Sequence, residues 1–185
     1  MLAAAALCLS FAGQSAHAGE VYSEEAVKAA FVLRFTSYVT WPEPASATTP
    51  FRIAVLGDSA MTSRLGALVE SRGVGTRPID VRQISSLADA RDAQLLYIGA
   101  RRSGDLPALL RSLGSRKILT ITDAAHGLEA GSIINFLVID QRVRFEVSME
   151  AARHAGLGIS SELLSVAVRV QGHRAGPLTA NEERR

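Results

Sequence analysis

Between Phe51 and Thr122 short apolar runs alternate with amphipathic stretches, and this rhythm constrains the fold more than any other feature of the chain. Phe51–Leu56 reads as a buried strand closed by the turn Gly57-Asp58-Ser59. Leu65, Leu68 and Val69 then mark a helix that Arg72-Gly73 would close. Ile79-Asp80-Val81-Arg82 alternates as a half-exposed strand does, and Leu95–Ile98 is a third, short apolar strand. Asp105 can cap a helix with Pro107 in its first turn, carrying Leu106, Leu109, Leu110 and Leu113 and stopping at Gly114. Ile118–Thr122 is the next strand. Strand–helix–strand–strand–helix–strand is the order of an α/β domain with a largely parallel sheet.

The flanks add to this frame. Ser23 followed by Glu24 and Glu25 signals a helix start, a capping hydroxyl and then acids at the positive end of the helix dipole. Val27, Phe31, Phe35 and Tyr38 recur at helical spacing with Ala30 and Val39 beside them, and Pro42 predicts that the helix ends at Trp41. Glu43 to Pro50 reads as a linker. Towards the C-terminus, Ser132–Ile139 and Arg142–Ser148 flank Asp140-Gln141 as a hairpin. In the second of these strands Val143, Phe145 and Val147 alternate with Arg142, Arg144 and Glu146, so one face is expected to meet polar surroundings. Two helices should follow, Met149–His154 and Ser160–Val170, separated by Ala155-Gly156-Leu157-Gly158. The expected architecture is a single-domain α/β sandwich, its mixed and mostly parallel sheet flanked by helices, with a C-terminal hairpin and two helices. The domain spans residues 19–171, and residues 172–185 form a polar, loose tail.

Composition narrows the class. The chain has 185 residues, 48% hydrophobic and 21% charged, which is neither disordered nor in need of disulfides to fold. A formal charge of +2 is too small for a strongly basic nucleic-acid binder. Residues 1–18 carry no Lys, Arg, Asp or Glu and end in Ala16-His17-Ala18, which matches the apolar core and small-residue cleavage site of a secretory signal peptide. This run is shorter than the about 20 residues a membrane span requires, and no other segment approaches that length. An exported, soluble protein without membrane insertion is expected. The one Cys of the chain is Cys8, so a chain cleaved after Ala18 could form no disulfide, thiol nucleophile or thiolate metal site.

Catalytic signatures are missing: no Gly-x-Ser-x-Gly, Ser-x-x-Lys, His-Glu-x-x-His or Gly-x-x-x-x-Gly-Lys occurs. Gly73-Val74-Gly75 precedes a strand rather than opening a helix. Asp58 and Asp123 each follow a strand, where α/β sheets often place a site, although both suit a turn. His126, His154 and His173 have no partner at metal-ligand spacing on an obvious shared face; Glu129 lies near His126 in a Gly-flanked loop. Glu150 and Glu162 could both face a cleft, with nothing pairing them as acid and base. Neither an enzyme nor a metal or other cofactor site is expected. The notable features are Arg34, which interrupts an apolar helical stripe, and Trp41 beside Pro42. Arg in such a place either lies over core surface or reaches a partner, and Trp either closes the core or anchors an interface.

Several segments carry a resemblance. Lys28-Ala29-Ala30-Phe31 through Tyr38-Val39-Thr40-Trp41-Pro42 resembles the opening signature of the YfiR family, and Ile53-Ala54-Val55-Leu56-Gly57-Asp58 is similar to its first strand and turn. The strongest similarity is in Gly131-Ser132-Ile133-Ile134-Asn135-Phe136, Val143-Arg144-Phe145-Glu146-Val147, and Ala151 through Leu164. The resemblance implies a periplasmic α/β sandwich, often a homodimer, that restrains an inner-membrane diguanylate cyclase through its periplasmic sensor region. Release of that restraint would raise cyclic di-GMP and favour biofilm formation. Two departures stand out. The family's best-known member carries disulfides, one of them near the hairpin and final helices, and this chain has no Cys there; the paired Gly before the hairpin strand is here Ala130-Gly131.

The expected partner surface draws on Arg34 and Trp41 with the segment from His154 to Leu164, in particular Ser160, Ser161, Glu162 and Leu163. Ser160 and Ser161 also suit a helix cap. The alternative is a periplasmic module binding a small molecule in a cleft at the ends of the sheet strands.

Overall fold

The computed structural model describes residues 23–42, 49–71 and 77–172. The expected signal peptide, residues 43–48 of the linker, the Arg72–Gly75 segment and the tail from residue 173 lie outside the described residues.

The first helix, α1 (Glu24–Phe35), starts where the sequence places it: the Ser23 side chain accepts a hydrogen bond from Ala26 N at 3.3 Å. It ends short of Trp41. The Ser37 and Tyr38 amides bond back to the carbonyls of Arg34 and Phe35, which tightens the chain into a turn, and β1 (Val39–Thr40) then runs extended. The apolar stripe differs too. The face packed on the sheet is Lys28, Ala29, Val32, Leu33 and Phe35, whereas Val27 and Phe31 are half-buried and Ala30 is exposed.

The main sheet is built from β2 (Phe51–Leu56), β3 (Ile79–Ile84), β4 (Leu95–Ile98), β5 (Leu119–Thr122), β6 (Ile134–Ile139), β7 (Arg142–Ser148) and β9 (Arg169–Gln171). Their order across the sheet is β3-β2-β4-β5-β6-β7-β9. The first five are parallel; β7 runs antiparallel to β6, and β9 is parallel to β7. From β2 the chain passes through α2 (Ser59–Ser71) to β3 on one side, and after β4 it passes through α3 (Leu106–Leu113) to β5 on the other.

The two helices cover opposite faces. Met61 and Leu65 of α2 join α1 over Ile53, Val55, Leu95 and Tyr97, while Leu106, Leu110 and Leu113 of α3 pack on Ala54, Leu56, Leu96 and Ile98. Alternate residues of β2 and β4 thus feed two cores, which is why these strands read as unbroken apolar runs. On the α1 face Phe31 and Phe35 meet Phe136 and Phe145, with Phe35 edge-on to Phe145 at 4.9 Å between centroids.

The hairpin is as expected: Asp140 and Gln141 both take positive φ (49° and 58°), the conformation a two-residue primed turn requires. α4 (Met149–His154) also follows the sequence. The last helix does not. α5 is only Ser161–Val166, and the chain then re-enters the sheet as β9, held by Val168 N to the Phe145 carbonyl at 2.9 Å. The β-branched Val166-Ala167-Val168-Arg169-Val170 run favours that extended exit. A two-residue strand, β8 (Gly158–Ile159), precedes α5 and pairs antiparallel with β1.

Candidate functional site

In a sheet of this order ligands usually sit beyond the carboxyl ends of the strands where the order reverses, here β2 and β4. That place is filled. Gly57 (φ +80°) lies against the Arg102 stem, where an added Cβ would be 2.6 Å from Cγ, and one on Gly99 would be 2.9 Å from Asp58 Cβ. Asp58 Oδ1 accepts from Met61 N at 2.9 Å and so caps α2. Of the two aspartates singled out in the sequence, Asp58 is therefore a turn and cap residue.

Asp123 has a different task. Its Oδ2 accepts from Lys28 Nζ at 2.9 Å, and Glu24 Oε1 lies 2.6 Å from the same ammonium. Lys28 is buried at 7% exposure, and Tyr97, which faces Asp123, is fully buried. Burial alone would pull the Lys28 pKa down, but the hydrogen bonds to Glu24 and Asp123 outweigh it and leave the ammonium more firmly protonated. Burial, reinforced by the Asp123 charge, pushes the Tyr97 phenol far above its usual range.

A second polar system crosses the opposite face in register. Thr122, Asn135, Glu146 and Arg169 are successive cross-strand neighbours on β5, β6, β7 and β9. Each bonds to the next: Thr122 Oγ1 donates to Asn135 Oδ1 (2.8 Å), Asn135 Nδ2 to Glu146 Oε1 (2.9 Å), and Arg169 Nε to Glu146 Oε2 (2.7 Å). Arg169 Nη2 also reaches Glu129 Oε1 at 2.9 Å, so the guanidinium is held more firmly protonated and the Glu129 carboxyl is held below its usual range. The alternation of this strand predicted polar surroundings for Glu146, and it has them inside the protein: it is 3% exposed, with Asn135 and Arg169 on its two carboxylate oxygens. A polar Asn inside the apolar run Ile133–Ile139 was the available signal.

The residues expected to form the partner surface fall in four places. β1 and β8 pair Val39 with Ile159 and Thr40 with Gly158, and Ser160 N donates to the Tyr38 carbonyl at 2.9 Å. This clasp brings the Trp41 end of the N-terminal segment beside the start of α5. Trp41 stands edge-on to Phe51 at 5.1 Å between centroids, and its Nε1 is buried without a partner among the described residues. Arg34 is exposed at the end of α1, its Nη2 3.4 Å from the Tyr38 hydroxyl.

On the other side of the clasp Ser160 caps α5, accepting from Leu163 N at 3.3 Å, and Ser161 and Glu162 are exposed. The Glu162 carboxyl is held below its usual range by its own backbone amide and then by the Ser160 hydroxyl. Leu163 belongs to neither edge: it is 3% exposed in the core, so its side chain shapes this surface from below and does not offer a contact.

His154 lies apart from this description, in a cleft of about 650 Å³ at the amino ends of β5 and β6. Leu110, Leu113, Ile118 and Ile133 contribute apolar lining, Arg111, Arg116, Glu129 and Glu150 contribute charge, and His154 adds an imidazole. Glu150 lines this cleft and Glu162 does not, so the two are not brought together in it.

The layers and strand order define a doubly wound α/β domain with an antiparallel extension at one edge, in which the turns after β2 and β4 approach each other closely at the usual ligand position. Residues 25–168 match the YfiR/HmsC-like family, and the chain belongs to it. No curated protein matches the chain. Among solved structures, the chain is similar to a conserved domain protein from Vibrio cholerae O1 biovar El Tor, at TM-score 0.58 and 11% identity over 80% of this chain. That match spans 60% of the Vibrio protein's length and is a likeness of fold. A weaker likeness, TM-score 0.49 and 14% identity over 65% of this chain and 55% of the other, is to an ABC domain in complex with L-Trp from Streptococcus pneumoniae. Among the described residues no helix is long and apolar enough to cross a membrane.

Proposed function

We propose that the protein is a periplasmic regulator that binds the periplasmic sensor region of an inner-membrane diguanylate cyclase and holds it inactive, lowering cyclic di-GMP and biofilm formation. It performs no catalysis of its own and works as a homodimer. The observation that carries this reading is the β1–β8 clasp, which joins two separate family-signature segments into one surface with Arg34, Trp41, Ser161 and Glu162 around it. A restraining protein needs a shaped surface and a preference for one state of its partner: equal affinity for active and inactive cyclase would shift nothing. Trp41 supplies a half-buried aromatic side chain at this edge, and interface anchors of this kind are typically worth about 2 kcal/mol or more.

The test is the affinity of Trp41→Ala and Glu162→Arg for the cyclase's periplasmic region, with folding checked by thermal melting. At least about tenfold weakening in each is expected. Unchanged affinity in both folded variants would remove this surface from the reading.

The amino-end cleft favours a second reading, a small-molecule-binding module. Its volume of about 650 Å³ suits a ligand, and its apolar walls with Arg111, Arg116 and His154 suit a small aromatic or amphipathic one. Saturable thermal stabilisation by such a compound, lost in Arg116→Ala, would support it.

A further inference from the structure

We infer that the groove between α1 and α2 seats an amphipathic helix of the partner, with acidic side chains set against Arg34 and Arg64. This rests on the reading of the chain as a partner-binding regulator and names the part of the partner that docks here.

The groove has a volume of about 570 Å³ and is walled by Ala26, Val27, Ala30 and Phe31 of α1 and Ala67 and Leu68 of α2. A helix that is apolar on every side is normally covered on every side. α1 presents one apolar face to the sheet and a second to this groove, where nothing among the described residues covers it. This second face is Val27 and Ala30, with Phe31 shared between it and the core, where its ring also meets Phe136 and Phe145. The wall from Ala26 through Ala30 and Phe31 to Arg34 runs along α1 for about two turns, about 12 Å, the scale on which a docked helix places its i, i+4 and i+7 anchors. The small side chains of Ala26, Ala30 and Ala67 leave room for those anchors to approach the backbone.

Charge selects the occupant. Arg34 and Arg64 border the groove. Among the described residues Arg34 has only the Tyr38 hydroxyl and ring for company, and Arg64 makes no ion pair; Glu25 feels its charge without pairing with it. A second copy docked groove to groove would set these arginines against their own equivalents, whereas a helix bearing Asp or Glu would neutralise both.

Two kinds of variant test this in the full-length protein. Ala30→Trp and Ala67→Trp fill the groove from its two walls at exposed positions, and Arg34→Glu with Arg64→Glu reverses its charge. Titration against the cyclase's periplasmic region should show each weakened at least about tenfold, with Tm unchanged. Lysine substitution of the acidic positions on the partner's docking helix should restore binding to the charge-reversed variant. Wild-type affinity in both tryptophan variants, while Glu162→Arg binds weakly, would overturn the groove assignment and leave the proposed function standing. No binding by the wild-type protein would overturn both. A tryptophan variant that changes the sedimenting mass but not partner affinity would assign the groove to a second copy, against this inference.

Discussion

Lys28 Nζ lies 2.9 Å from Asp123 Oδ2, and this contact ties the first described helix to the end of a strand 95 residues away. Both side chains are largely shielded, at 9% and 12% exposure. Removing Lys28 strands the Asp123 carboxylate beneath α1, whereas removing Asp123 leaves Lys28 its contact to Glu24. Lys28→Met should lower stability by about 3 kcal/mol and Asp123→Leu by less, and the double variant should lose less than the sum, measured by urea denaturation at pH 7. The Lys28 pKa is raised in the folded state, so its contribution is complete below the unfolded value of about 10.4 and declines only as pH rises through the higher folded value. Denaturation at pH 7 and pH 9 should therefore give the same difference between wild type and Lys28→Met.

The Arg169–Glu129 contact carries the opposite pH dependence. Glu129 is a carboxyl with a lowered pKa, so its contribution is present above the unfolded value of about 4.3 and is lost as pH falls through the folded value. Melting curves between pH 7 and pH 3 should show wild type losing an increment of Tm that Glu129→Gln lacks throughout. Parallel curves would show that the pair contributes nothing.

Two glycines should respond in opposite directions to the same substitution. A Cβ on Gly127 would overlap Asn135 Oδ1 and Thr122 Oγ1, the buried start of the polar ladder, so Gly127→Ala should destabilise by about 1–3 kcal/mol. Gly66 is inside α2 with nothing within 4 Å of an added Cβ, and Gly66→Ala should stabilise by about 0.5–1 kcal/mol. Chemical denaturation of the two variants side by side checks both signs.

The strand–helix alternation from Phe51 to Thr122 was legible because each element has its own period and its own stop: Gly57 after β2, Gly114 after α3. What escaped was set by distant partners. Lys28 stood in the sequence only as part of a family segment, and its pairing with Asp123 could not be read there; Glu146 was legible as meeting polar surroundings but not as buried beside Asn135 and Arg169. The end of α1 was misplaced because Pro42 restricts only Trp41. Pairing with Gly158-Ile159, invisible in local sequence, draws Val39-Thr40 out of the helix. In the same way α5 was read too long because the sheet edge that accepts β9 is formed by β7. The candidate surface was legible as two separate segments, and only the clasp shows that they adjoin.

Within that surface, adjacent serines separate a structural role from a contact role. The Ser160 hydroxyl caps α5, so Ser160→Ala should lower stability by about 1 kcal/mol. Ser161 is exposed, with only a long contact to the Glu162 carboxylate at 3.5 Å, so Ser161→Ala should leave stability within about 0.5 kcal/mol. Any loss of partner affinity in Ser161→Ala is then a lost contact and not a disturbed fold. Equal effects of the two on Tm would contradict the cap assignment.

The central claim is restraint of a cyclase by direct binding, and calorimetric titration of the chain from Gly19 onward against the periplasmic region of a diguanylate cyclase encoded beside its gene tests it most directly. The account predicts saturable binding, with cyclase output falling when the full-length enzyme is assayed with the protein. Two folded proteins that show no heat of binding up to high micromolar concentration would contradict it.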